Sequence, residues 1–157
     1  MKLEAHMFRL LILFLCASPL LSFAQPKIHP AGDGWHLKVD SAMTLIKKYD
    51  PEKYALILEV CDEIGFWSGN FSSNGINKGV SSIYVANKDI HLNSINNLAC
   101  VLVHESLHLY ILQKSIKLDR KTEERTCYIY ELEFLNKIPN PEPWLIENTK
   151  TKIKIYS

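Results

Sequence analysis

The segment His104-Glu105-Ser106-Leu107-His108 contains the residue types best suited to chemistry in this chain of 157 residues. Histidines four positions apart project from one face of a helix, so their imidazole rings can converge on one cation. Glu105 is turned about 100° around the helix from His104. Its carboxylate would therefore lie beside a bound metal and could accept a proton from water. The spacing predicts a catalytic metal site in which His104 and His108 are ligands and Glu105 is the general base.

The residues before this segment indicate where it lies. Residues 98–103 are apolar on every face of a helix, which predicts that the helix runs through the centre of the domain. Burying a glutamate and two imidazoles without partners costs on the order of several kcal/mol, and a metal ion with its water would supply those partners. In the alternative interpretation, the histidines bond to backbone carbonyls and Glu105 pairs with a distant basic residue.

A third ligand must come from elsewhere, because catalytic zinc sites usually combine three protein ligands with one open position. No histidine follows His108, and His91 upstream is better explained as a surface residue. Glu124, sixteen residues after His108, is the candidate ligand, and Glu131 is placed to brace a ligand from behind. Glu123 is predicted to be a solvated acid that interacts favourably with the helix dipole. A predicted helix over residues 122–138 carries an inward stripe at helical spacing: Glu124, Cys127, Tyr128, Glu131, Leu135 and Ile138.

The His-Glu-x-x-His segment, followed by Glu124-x-x-Cys127-Tyr128-x-x-Glu131, resembles the gluzincin class of zinc metallopeptidases, especially its minimal single-domain members. In that class a Glu-x-x-Ala-Tyr segment supplies the third ligand, and Cys127 stands where alanine is common. The resemblance implies zinc as the cofactor, bound by the two histidines and Glu124, with Glu105 as general base. Thermolysin-like members carry an Asp at the position of Tyr128 that braces the first histidine. Tyr128 and Glu131 are therefore the candidates for that supporting role.

The resemblance also implies how a substrate binds. Residues 82–86 would form the edge strand of the sheet, and an extended peptide would lie antiparallel to it, next to Ile83, Tyr84 and Val85. Main-chain hydrogen bonds to an unpaired strand are a general means of peptide binding.

The elements that position these residues predict a single small α+β domain over residues 35–157, and the resemblance implies that this domain is zincin-like. Apolar residues at helical spacing end before Asp50-Pro51, where a second helix starts. Strands are predicted at 64–67 and 82–86, joined by a loop rich in Gly, Asn and Ser at 68–79. Helices at 95–113, with Ser94 as a cap candidate, at 122–138 and at 143–149 complete the domain. The expected architecture is a pair of N-terminal helices, a short sheet with an antiparallel edge, and two successive helices that carry the site.

The first 24 residues have the features of a secretory signal peptide. Lys2 and Arg9 form a positively charged segment before the apolar run 10–21. Small residues, Ser22 and Ala24, stand before the expected cleavage point at Gln25. We therefore expect an exported protein, periplasmic or secreted, in which residues 25–34 form a flexible leader. Lipid attachment at Cys16 and retention as a membrane anchor are the alternatives.

Composition bears on partners and on redox state. The chain has 18 Lys and Arg against 17 Asp and Glu and no polybasic run, so neither nucleic acid nor an anionic membrane surface is an implied partner. Three cysteines follow the signal peptide: Cys61, Cys100 and Cys127. We expect either three buried thiols or one disulfide, for which Cys100 and Cys127 are the favoured pair.

Together these features predict an exported zinc metallohydrolase that acts on a peptide or protein substrate and has no stable membrane insertion after signal removal. The alternative is a non-catalytic zincin-like module, binding or inhibitory, with a structural or vestigial metal site. Hydrolysis of an amide outside peptides would use the same residues.

Overall fold

The computed structural model describes residues 24–29, 34–86 and 94–157, which form an α+β fold compatible with a small single domain. The described strands are β1 (Lys27–Ile28), β2 (Glu63–Trp67), β3 (Ser73–Asn77) and β4 (Val80–Ala86). The described helices are α1 (Trp35–Tyr49), α2 (Pro51–Val60), α3 (Ile95–Gln113), α4 (Arg120–Leu135) and α5 (Pro143–Ile155).

The four strands form one mixed sheet in the order β1-β2-β4-β3. Strands β1, β2 and β4 are parallel, and β3 pairs antiparallel with β4. The turn between β3 and β4 consists of Lys78 and Gly79, both at positive φ, 50° and 83°. Two such residues form the type of tight turn whose twist matches a hairpin. The sheet therefore has the predicted antiparallel edge, but β3 supplies it.

The prediction that residues 82–86 form the edge strand is wrong. The polar 68–79 segment, predicted as a loop, folds back through the hairpin and covers the edge of β4, so β4 lies between two strands. Ile83 and Val85 are fully buried, and only Tyr84 of the three proposed peptide-contacting residues is exposed. The side chains of Ile83 and Val85 belong to the core and cannot line a substrate groove.

The N-terminal leader is more ordered than expected. Lys27–Ile28 pairs in parallel with β2, and the backbone N–H groups of Lys27 and His29 donate to Asp62 and Ile64 at 2.8 and 2.9 Å. The Trp35 indole donates to the His29 carbonyl and ties this segment to α1. The prediction of a flexible leader is therefore wrong for this stretch. The proposed signal peptide, with Cys16, and His91 lie outside the described residues.

Helix α3 occupies the centre of the domain, as predicted, and its bounds match the predicted 95–113. It packs against α1, α2, α4 and the sheet. Ser94 caps it by accepting a hydrogen bond from the Asn97 N–H at 3.0 Å. Within the described ranges it is the one helix long and apolar enough to cross a membrane, yet most of it is buried inside the domain.

The two C-terminal helices differ slightly from their predicted bounds. Helix α4 begins at Arg120 because Asp119 caps it, accepting from the Thr122 N–H at 3.1 Å. Helix α5 continues past Thr149 to Ile155 and packs along α4. Cys61, Cys100 and Cys127 are all buried free thiols, so the favoured disulfide is absent from this part of the chain.

Candidate metal centre

His104 and His108 lie on adjacent turns of α3, on the face that packs against α4. Their Nε2 atoms lie 3.2 Å apart and the ring centroids 5.0 Å apart. Both rings are largely buried, because residues before and after them pack into the core. The i, i+4 spacing thus produces the convergence that the sequence predicts.

Glu124, from the first turns of α4, approaches both rings from the side opposite α3. Its Oε2 atom lies 3.6 Å from His104 Nε2 and 3.9 Å from His108 Nε2. Asp119 caps α4, so the helix begins at Arg120 and Glu124 lies just after its first turn, on the side that faces α3. Three potential ligand atoms therefore converge on one small volume.

The other ring nitrogen of each histidine faces a carboxylate. Glu131 Oε2 lies 3.2 Å from His104 Nδ1, and Glu123 Oε1 lies 2.6 Å from His108 Nδ1. The His104 contact is at ion-pair distance but is poorly aligned for a hydrogen bond. A carboxylate at Nδ1 favours a proton on that nitrogen and leaves the Nε2 lone pair free for a metal.

Glu123 is not the solvated acid that the sequence predicts. Its side chain is 29% exposed and braces His108. Adjacent glutamates can serve one ring because the two nitrogens of an imidazole lie on different edges. Glu123 faces Nδ1 of His108 while Glu124 faces Nε2.

The arrangement attracts positive charge. Burial alone lowers the pKa of His104, but the close contacts with the Glu124 and Glu131 carboxylates outweigh it and raise the pKa to about 9. Contact with His104 in turn lowers the pKa of Glu124. Two imidazole nitrogens that face each other at 3.2 Å repel unless a cation or a proton lies between them.

Cys127 lies one turn beyond Glu124 on the same face of α4 and is fully buried. His104, His108 and Cys127 each offer one ligand atom, all within 4.8 Å of one another, and this buried group could hold a metal ion. Burial, reinforced by the nearby carboxylates, raises the pKa of the Cys127 thiol well above its ordinary value. A metal would have to displace the thiol proton before sulfur could bind.

Glu105 lies on the other side of the histidines, at 8% exposure. Its Oε2 accepts a 2.7 Å hydrogen bond from Nδ2 of Asn74, which belongs to the edge strand β3. This contact could not be predicted from the sequence, because Asn74 lies in the segment predicted to be a loop.

Two further residues support His104. The Tyr128 ring packs on the His104 ring, with centroids 4.4 Å apart, and stacks in parallel on Tyr156. Thr149 of α5, fully buried, donates to Glu131 Oε1 at 2.6 Å. Thr149 was not among the predicted site residues. The inward-facing Glu131 on α4 was the available signal, because a buried carboxylate needs a partner from a neighbouring helix.

The structure thus brings His104, His108, Glu124, Glu105 and Glu131 into one cluster, with Tyr128 against the first histidine. The predicted substrate-contacting residues Ile83, Tyr84 and Val85 lie on β4, which is paired on both sides and therefore offers no open edge beside this cluster.

Comparison with family models, curated proteins and solved structures gives no match for this chain. Function is therefore inferred from the geometry and chemistry of the side chains.

Proposed function

We propose that the protein is a zinc metallohydrolase, and specifically a peptidase. In this proposal His104, His108 and Glu124 hold the metal, and Glu105 is the general base. The observation that carries the proposal is the triangle formed by His104 Nε2, His108 Nε2 and Glu124 Oε2.

The dimensions and chemistry of this triangle favour zinc. A triangle with sides of 3.2, 3.6 and 3.9 Å has its centre about 2.1 Å from each corner, and zinc in proteins lies about 2.0–2.2 Å from nitrogen and oxygen ligands. Two imidazoles and one carboxylate are a ligand set of catalytic zinc sites that keep a fourth position open. Magnesium and calcium prefer oxygen ligands alone.

The residues around the ligands have defined tasks. Glu123 and Glu131 lie against the Nδ1 atoms, favour a proton there and leave both Nε2 lone pairs free for a metal. Zinc, when bound, supplies Lewis acidity that polarises a carbonyl and makes water more acidic. Glu105 accepts the proton of the attacking water and transfers it to the leaving nitrogen.

A peptide substrate is proposed because the site lies beside an edge of the sheet that no other described strand covers. In a hairpin closed by a two-residue turn, the residues that flank the turn exchange both hydrogen bonds, and the pattern then alternates. Asn77 pairs with Val80, so the backbone groups of Asn74 and Ile76 point away from β4. An extended peptide can add to these groups as a further strand, with its main chain near Glu105. Strand β3 thus replaces β4 as the proposed docking edge.

Metal analysis of the purified protein tests the metal site. We expect one zinc per chain by mass spectrometry, a loss of zinc in Glu124→Ala, and retention in Glu147→Ala, which removes an exposed glutamate of α5. Absence of stoichiometric metal in the unmodified protein would refute the proposal.

Glu105→Gln tests catalysis separately. The variant should keep its zinc and lose at least about 100-fold in cleavage of denatured, dye-labelled casein, since a general base typically contributes about 10²–10⁴-fold. Equal cleavage by the zinc-loaded variant and the unmodified protein would contradict the assigned role.

One observation favours a second function, a non-catalytic module with a structural metal. Cys127 is close enough to the histidines to join the ligand set, and four protein ligands would close the open position. Cobalt-substituted protein distinguishes the cases, because a thiolate ligand gives an intense near-ultraviolet charge-transfer band that Cys127→Ala would abolish. If the band is present and Glu105→Gln changes no activity, the second function holds.

A further inference from the structure

Asn74 is the sole hydrogen-bond partner of the Glu105 carboxylate among the residues that the structure describes. The bond joins β3 to α3 across 31 positions of sequence, at 2.7 Å. The strand register explains it: Asn74 pairs with Ile83, whose side chain is fully buried toward the helices, so the Asn74 side chain faces the helices too. Its partner atom is Oε2, and no described residue bonds to Oε1 of the same carboxylate.

We propose that Asn74 is a positioning residue that fixes the carboxylate of Glu105 for its task as general base. This inference rests on the proposed hydrolase function. A glutamate side chain has three rotatable bonds, and a base that is free to swing spends much of its time away from the reacting water. Anchoring one carboxylate oxygen restricts that motion and keeps the other directed at the reaction volume. Rate losses of about 100-fold accompany misplacements on the order of 1 Å.

The anchor comes from an edge strand rather than from the body of the domain. Asn74 lies on the strand whose free backbone groups would pair with a peptide, so the base and the docking edge are mechanically joined. A displacement of β3 would move the base with it. A peptide that pairs with β3 would in turn help to hold Glu105 in place at the moment of reaction.

The chemistry of the bond gives a sharp test by substitution. Asn74→Asp preserves the shape of the side chain but replaces the amide donor with a second carboxylate, which repels Glu105. Asn74→Ala removes the donor without adding charge. If Asn74 only fills space, the isosteric Asp variant should be the milder of the two; if it anchors the base, Asp should be the more damaging.

We expect Asn74→Ala to lower kcat against dye-labelled casein about 10- to 100-fold with little change in KM, and Asn74→Asp to lower kcat further. Both variants should retain stoichiometric zinc. Asn148→Ala, which removes an exposed asparagine on α5, should retain full activity. Unchanged kcat in Asn74→Ala, or a higher kcat in Asn74→Asp than in Asn74→Ala, would overturn the inference.

A spectroscopic measurement tests the contact without reference to turnover. In ¹⁵N-labelled protein, the side-chain amide signals of Asn74 should shift on Glu105→Ala far more than those of Asn77. If they do not move, the anchor does not exist in solution and the inference fails. A protein that binds zinc but hydrolyses nothing would refute the proposed function and this inference with it. Active protein with a normal Asn74→Ala variant would refute only this inference.

Discussion

Replacement of Thr149 by valine isolates one hydrogen bond behind the metal site. The Thr149 hydroxyl lies 2.6 Å from Glu131 Oε1 and 2.9 Å from the Leu145 carbonyl, and it has a single hydrogen to donate. The shorter bond, to a charged acceptor, takes that hydrogen. Valine has nearly the same volume and keeps the packing while it removes the donor. Glu131, 6% exposed, then loses its partner on the side away from His104.

The size of the effect follows from this burial. A hydrogen bond to a charged group contributes about 1.5–3 kcal/mol. Loss of the group that contacts a histidine ligand typically weakens metal binding about 10- to 100-fold. Thr149 acts one contact further out, through Glu131, so we expect the zinc Kd of Thr149→Val to rise about 10-fold, which corresponds to about 1.4 kcal/mol.

The assay is zinc competition with a chromophoric chelator at constant pH. Thr149→Ser keeps the hydroxyl and should bind zinc within about threefold of the unmodified protein, since only a methyl group is removed. Thr126→Val is the matched control, because the Thr126 hydroxyl is exposed and bonds only to the Thr122 carbonyl. A Kd for Thr149→Val equal to that of Thr126→Val, in a protein with unchanged circular dichroism, would refute the reasoning.

Three further predictions concern the scaffold. Asp50→Ala should lower the free energy of unfolding in urea by about 1.5–3 kcal/mol, because the buried Lys53 ammonium loses one of two counter-charges and keeps Glu133 at 3.3 Å; a loss under 1 kcal/mol would count against this. Burial lowers the pKa of Lys53 below its ordinary 10.5, so its contribution to stability is fully present above pH 10.5 and is lost as the pH falls through the lowered folded-state value. Unmodified protein should accordingly gain stability relative to Lys53→Met as the pH rises toward 10.5, and parallel pH profiles would contradict this. Ser94→Ala should cost about 1 kcal/mol in thermal unfolding, since it removes the cap on the Asn97 N–H; an unchanged Tm would disprove it.

The metal-site helix could be predicted from the sequence because its signals are local. An unbroken apolar run, a serine cap and the i, i+4 histidines all lie within α3, and the bounds agree with the structure. The inward stripe on α4 likewise identified Glu124, Glu131 and Cys127, since a helix that packs along another must present one face.

The contacts that could not be predicted are those between segments distant in sequence. Strand β3 is polar and rich in turn formers, so its pairing with β4 depends on the hairpin and not on apolar alternation. Asn74 and Thr149 acquire their roles only because β3 and α5 cover the site from two sides. The contact of Glu123 with His108 could not be predicted because it depends on how α4 packs against α3. That packing lets two adjacent glutamates contact the two nitrogens of one ring.

The division of ligands between two helices has a consequence for the lifetime of the protein. Both histidines belong to α3, and the three described carboxylates within 4 Å of their ring nitrogens, Glu123, Glu124 and Glu131, belong to α4. A bound ion would therefore act as a clasp between the helices, and without it three carboxylates of α4 would share one buried patch with less compensating charge. Because an ion that binds only the folded chain stabilises it in proportion to the logarithm of its concentration, the supply of the bound metal would set the fraction of the protein that stays folded.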